Sequence, residues 1–321
     1  MLLGVTIGDS SGVGPEILLH AFERGEIPCP VVAFGDLAVL RHYNRGGVPL
    51  AAVEIPAECA PGVLNVIDPK LLQPDQITPG RINAASGRAA RQYVVSATQA
   101  ALAGQVGGIV TLPMNKEATR LSDPRFTGHT ELIGELCGVS DVTIMLASEQ
   151  LIVTHVSTHC SLAEAIARTK YDRIRTIIEM TTRAVLRLKP DARIAVAGLN
   201  PHAGEHGLFG DEEEREIRPA VEWAQAQGLP VEGPLPPDTV FFMAVRKRRF
   251  DAVVCMYHDQ GHIPLKLLDF EGGVNVALGL PIIRTSVDHG TAFDIAGQGV
   301  ASTKSFIRAI EFALRLAAPT P

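Results

Sequence analysis

Apolar and polar positions switch between two periods along this chain, and the switching predicts its elements. Short β-branched or continuous apolar runs read as buried strands: LLGVTIG (2–8), PVVAFG (30–35), VGGIVTLP (106–113), QLIVTHVSTH (150–159), ARIAVAGLNPH (192–202), DAVVCMYHD (251–259) and PIIRTSVDH (281–289). Between them the spacing becomes helical, in GPEILLHAFERG, GRAARQYVVSATQAALAG, DRIRTIIEMTTRAVLRL, DEEEREIRPAVEWAQAQG and TKSFIRAIEFALRLAA. Ser161 and Glu164 predict a capping box for LAEAIART, and Asp238 a helix N-cap. Pro219 inside a helical pattern predicts a kink or restart. The Pro-rich stretch PAECAPGVLNVIDPKLLQPDQITPGR (56–81) reads as an irregular excursion. Alternation of strand and helix predicts an α/β chain with a mostly parallel sheet.

Composition narrows the class. The chain has 321 residues, 46% hydrophobic, which suits two α/β domains better than one. A formal net charge of -6 argues against nucleic-acid binding, which needs clustered positive charge. The basic run Arg246–Arg249 falls at a predicted helix C-terminus, where cations complement the dipole. Five scattered cysteines without a CxxC predict a reducing compartment. The opening MLLGVTIGDSSG lacks the basic start and long apolar region of a signal peptide, and no run is long enough to span a bilayer. A cytoplasmic protein with no membrane partner is expected.

Parallel α/β sheets bind ligands at the carboxyl ends of their strands, and polar clusters recur there: GDSSGVGPE, TLPMNKE, STH, NPHAGE, YHDQG and DHGTAFD. His159, His202 and His258 stand at three such ends, and three imidazoles suit a divalent ion with positions left open for substrate or water. His155 and His262 are rivals, each four residues from a favoured histidine; spacing does not choose between His155 and His159, and strand-end position favours His159. Gly8, Gly12 and Gly14 form a strand-to-helix turn of the kind that approaches anions, though not a GxGxxG, so a bare turn is the alternative. His129 and Thr130 precede a helix whose N-terminus suits an anion, with a plain Thr cap as the alternative. Lys266 and Arg284 would neutralise a phosphate or carboxylate, and Asn275 lies between them; solvated surface is their default reading.

With GDSSGVGPEI, FTGHTE, STH, LNPHAGE, GPLPPDT, MYHDQG and GVNVALGLPIIRTSVDHGTAFDIAG together, the chain resembles the 4-hydroxythreonine-4-phosphate dehydrogenase family over nearly its whole length. Its two ends are also similar to isocitrate and isopropylmalate dehydrogenases. The resemblance implies a two-domain α/β fold of that kind with the active-site cleft between domains, 1–125 plus 284–321 forming the first and 126–283 the second. It implies NAD as cofactor (NADP being the other option), near Gly12, Gly14, His289, Asp294 and Gly297. One divalent ion (Zn, Mg or Co) is implied on His159, His202 and His258, and substrate on His129, Thr130, Lys266, Asn275 and Arg284. A homodimer with active sites at the subunit interface is implied too. HDQGHIPLKLL, IVTHVSTH and TLPMNKEA look like the branch acting on D-threonate and D-erythronate 4-phosphates. A branch oxidising aromatic cis-dihydrodiol carboxylates shares HDQGHIP but typically lacks the His-Thr pair and the arginine. Ser10 and Ser11 replace the family's usual Pro-Ala.

The expected reaction is therefore oxidation, with decarboxylation, of a 4-phosphorylated hydroxy acid. The ion would stabilise the developing alkoxide, and Lys266 and Arg284 would hold anionic ends. Asp259 would orient an imidazole or move a proton, so Asp259 and Lys266 are the catalytic candidates. A non-catalytic ligand-binding protein or a phosphate acyltransferase on a related fold are the remote alternatives.

Overall fold

The computed structural model describes residues 1–318, so positions 319–321 of the first expected domain lie outside it. Its strands are β1 (Leu3–Thr6), β2 (Val31–Phe34), β3 (Leu50–Val53), β4 (Leu64–Ile67), β5 (Ile109–Thr111), β6 (Thr143–Ala147), β7 (Ile152–His155), β8 (Ile194–Ala197), β9 (Val231–Leu235), β10 (Ala252–Cys255), β11 (Val274–Leu278) and β12 (Arg284–Val287). Contacts divide the chain into two compact units, Met1–Val142 with Leu280–Ala317, and a second built on Thr143–Gly279. The segment 126–142, assigned to the second domain by the sequence, packs in the first unit.

In the first unit the strands run β3-β4-β2-β1-β5-β12, every neighbouring pair parallel. A strand covered on both faces has no polar side, and β1, β2 and β5 are buried at every position. The covering helices include Ala84–Leu102, whose start is held by Asn83 accepting from the Ala85 and Ser86 amides, and the C-terminal Lys304–Ala317. The Pro-rich stretch departs from expectation. Its apolar core becomes β4, because Asn65, Val66 and Ile67 pair with both β2 and β3, and only its flanks are short turns.

The second unit orders β11-β6-β7-β10-β8-β9. Here the expectation of a mostly parallel sheet needs amendment, since β11–β6 and β6–β7 are antiparallel while the pairs from β7 onward are parallel. The β6–β7 hairpin turns on Ser148, whose hydroxyl accepts from the Gln150 and Leu151 amides. The core gathers Leu146, Val153, Ala195, Val240, Val253 and Leu265, all fully buried. Helix Tyr171–Leu188 buries Ile174, Ile177, Ile178, Thr181 and Val185, a stripe at the helical period.

Local signals hold in detail, with two exceptions. Ser161 caps its helix through the Glu164 amide at 3.2 Å, but the Glu164 carboxylate turns to Arg168 instead of completing the box. Asp238 is not the cap; Pro236 is, and Asp238 lies in the first turn of Pro237–Val245. At Pro219 the chain restarts, a π-turn over Glu213–Ile217 giving way to helix Arg218–Ala226. No helix among the described residues is long and apolar enough to cross a membrane.

Gly14 opens helix Gly14–Glu23 where a Cβ would stand 2.3 Å from the Ile7 carbonyl oxygen. Gly14→Ala should therefore lower stability by about 1–3 kcal/mol, the usual cost of forcing volume into a packed core. Chemical denaturation checks this, and an unchanged midpoint would contradict it.

Candidate active site

The first cluster lies in the first unit, where two parallel strands end. β12 runs beside β5 with Ser286 opposite Thr111, and the Arg284 guanidinium donates from Nε (3.2 Å) and Nη2 (2.7 Å) to the Thr111 hydroxyl. Arg284 is only 3% exposed. Burial pulls its pKa down to about 10, with Glu131 acting in the opposite direction; it stays charged at neutral pH. Beside it helix His129–Leu136 begins after Gly128, with Thr130 buried in its first turn. The His129 Nε2 is buried without a hydrogen-bond partner among the described residues. Burial, then the charges of Arg284 and Lys116, hold the His129 imidazole well below its ordinary pKa, so it is neutral. A buried cation, an unsatisfied imidazole nitrogen and a helix N-terminus together suit an anion. His129, Thr130 and Arg284 thus share one corner; Lys266 and Asn275 belong to the second unit. There Asn275 sits on β11 with its Oδ1 buried and unpartnered, and the Lys266 ammonium lies 5.2 Å from the Phe270 ring centroid.

The second cluster is a set of imidazoles at the ends of β7 and β10, which pair in parallel with His155 opposite Cys255. The run DAVVCMYHD, expected to be a strand, instead leaves the sheet at Cys255, and HDQGHIPLKLL forms a helix, His258–Leu268, despite Pro264. One turn of that helix separates His258 from His262, whose rings stack at 3.5 Å and 12°. The His262 Nδ1 lies 3.2 Å from the His155 Nε2. His155 is fully buried, and burial followed by the neighbouring histidines pushes its pKa down to about 3. Gly261 is required beside it, because a Cβ there would lie 2.5 Å from the His155 Nε2. His159 is exposed, its ring 5.6 Å from that of His258. A cavity of about 430 Å³ opens between them, lined also by Cys160, Leu162, Tyr257 and Asp259.

The fit to a metal ion is partial. The His258 Nδ1 donates to the Asp259 carboxylate at 2.6 Å, which orients the ring as a carboxylate does for a ligating histidine. His202, however, lies on a separate turn after β8, its ring 6.0 Å from Phe209. That turn holds five successive residues, His202–His206, at positive φ. Its base is fixed by buried Glu213, which accepts from the Leu199 and Asn200 amides, both at 2.7 Å. Among the described residues no three His, Cys, Asp or Glu side chains converge on a metal position. His159 and His258 are neighbours; His202 does not join them within one chain.

The two glycine-bearing loops meet in the first unit. The Val13 amide donates to the Thr291 carbonyl (3.1 Å), and a Cβ on Gly12 would lie 2.9 Å from that oxygen. The Gly297 and Gly299 amides both donate to buried Glu16, at 2.8 Å each. Close packing therefore accounts for Gly12 and Gly14, and the Gly297 amide is already committed. His289 and Asp294 are exposed on the same loop. Sequence reasoning passed over Thr111, Lys116 and Glu16. The first two were visible only as polar residues at a strand end.

The first unit thus carries an anion-binding corner and the second an imidazole cluster, each suited to a small polar ligand. The family model described as pyridoxal phosphate biosynthetic protein PdxA matches residues 26–313, and the chain belongs to that family as a dehydrogenase. It is 47% identical to a D-threonate 4-phosphate dehydrogenase from Salmonella typhimurium, over 98% of each chain. It is 45% identical to a 4-hydroxythreonine-4-phosphate dehydrogenase from Beijerinckia indica, over 99% of this chain and 96% of that one. The crystal structure of a 4-hydroxythreonine-4-phosphate dehydrogenase from Klebsiella pneumoniae superposes with a TM-score of 0.89 at 45% identity, covering 99% of both chains.

Because His129 is buried neutral, its folded pKa lies below the unfolded value near 6.5. Its contribution to stability is full above that value and is lost as pH falls below it. Melting temperature should therefore fall from pH 7 to 5 less steeply in His129→Gln than in the wild type. Parallel curves would contradict a neutral buried imidazole.

Proposed function

We propose that this chain oxidises, with NAD and a divalent ion, the secondary hydroxyl of a 4-phosphorylated hydroxy acid, and that decarboxylation follows. D-threonate and D-erythronate 4-phosphates are the first substrates to try, then 4-hydroxythreonine 4-phosphate. One observation carries the reading: a buried arginine with a hydroxyl as its acceptor, beside a neutral histidine and a helix N-terminus. A phosphate monoester would supply further negative charge and the acceptor oxygens for these donors.

Arg284, His129 and Thr130 bind the phosphate and so fix the rest of the molecule. Lys266 and Asn275 hold its other polar groups. His159, His202 and His258 are assigned the ion, which when bound would supply positive charge to the hydroxyl oxygen on the carbon that gives up hydride. Asp259 contacts His258 directly, so its first role is to orient that imidazole; Lys266 is the other candidate for moving the alcohol's proton. NAD is assigned to the paired loops around Gly12, Gly14, His289, Asp294 and Gly297. We read the protein as a homodimer in the cytoplasm, with ligands to one ion drawn from two subunits. Support comes from Ile263, Leu267 and Phe270, which are 63%, 85% and 73% exposed beside the histidine cluster.

The test is reduced-cofactor formation with NAD or NADP on the three phosphorylated acids and one aromatic cis-dihydrodiol carboxylate, with and without a chelator. Turnover of a phosphorylated acid that chelation abolishes is expected. Turnover of the diol alone would move the chain to the cis-dihydrodiol branch. Arg284→Ala should raise KM for the phosphorylated acid at least about thirty-fold and leave NADH affinity unchanged. His202→Ala should lose bound metal, and retention of metal would remove it from the ligand set.

A further inference from the structure

We infer that Lys116 is a direct ligand of the substrate's phosphate, completing the anion corner of the first unit; this rests on the phosphate reading above. The chain leaves β5 at Thr111, turns through Pro113, and starts the short helix Lys116–Arg120 under the Asn115 cap, whose side chain accepts from the Ala118 amide at 2.8 Å. Thr111, the acceptor for Arg284, and Lys116 therefore issue from one strand end.

The lysine stem then crosses the start of helix His129–Leu136. A Cβ on Gly128 would stand 3.7 Å from the Lys116 Cε, and 2.6 Å from Glu131 Oε2. The absence of a side chain at Gly128 lets the stem lie against the backbone one residue before His129. The ammonium is near enough to His129 for its charge to oppose protonation of that ring. Among the described residues no carboxylate pairs with Lys116.

Charge balance gives these positions a meaning. A phosphate monoester carries close to two negative charges at neutral pH. Arg284 supplies one positive charge, and His129, being neutral, supplies a hydrogen bond and none. Lys116 supplies the second. The Glu131 carboxylate, which also stands beside Gly128 and acts on Arg284, offsets part of this charge, and a dianion in the corner would be drawn to both cations.

The experiment compares Lys116→Met, Lys116→Arg and Arg284→Ala in the full chain. KM for the phosphorylated acid, NADH affinity, and the rise in unfolding temperature produced by inorganic phosphate are measured for each. Lys116 is exposed, so its replacement leaves the core intact. Lys116→Met should raise KM about ten-fold or more and shrink the protection by phosphate, with NADH affinity unchanged; Lys116→Arg should recover most of both. If Lys116→Met leaves KM and protection at wild-type values while Arg284→Ala loses them, Lys116 is not a ligand and the phosphate reading stands. If neither variant alters them, the phosphate reading fails and takes this assignment with it.

Discussion

A guanidinium withdrawn from water is costly unless charge or strong hydrogen bonding receives it, and Arg284 is held in that state by the sheet itself. Its backbone is locked into β12, and β12 into register with β5, so the side chain is delivered to the Thr111 hydroxyl and lies buried there. Around that fixed charge the other features acquire their sense. The helix starting at His129 points its N-terminus towards the same corner, and the histidine stays neutral beside the cation. The site is thus preorganised for negative charge.

The second unit uses a different device. Its imidazoles form a graded series, from fully buried His155 through stacked His262 to half-buried His258 and exposed His159. The inner members are packing groups: Gly261 has no side chain because His155 fills the space. The outer members line the cavity, and the Asp259 carboxylate orients His258. The His202 turn is built on left-handed backbone, which ordinary residues adopt only when neighbours enforce it, and Glu213 braces the residues that lead into it.

Strong periodicity made much of the frame legible. Helices such as Tyr171–Leu188 and strands such as Ile194–Ala197 announce themselves by spacing alone, and Pro219 marks the restart it imposes. The misreadings share a cause. β4 hides in a Pro-rich stretch because its stability comes from pairing on both sides, which local composition does not record. HDQGHIPLKLL contains a glycine and a proline and still forms a helix, since Leu265 and Gln260 are buried there. The β6–β7 hairpin turns on a serine hydroxyl and lacks the usual Asn-Gly signal.

By itself, the order of residues determined the α/β alternation, the polar character of the strand ends and the family to which they belong, because each is written in local spacing or in contiguous motifs. Tertiary structure decided which of four nearby histidines are buried and which face a cavity. It also decided that Thr111 meets Arg284 and that Lys116 lies over Gly128. Those outcomes depend on burial and through-space distance between segments up to 173 residues apart. Such segments acquire common neighbours only once the sheet has set their register.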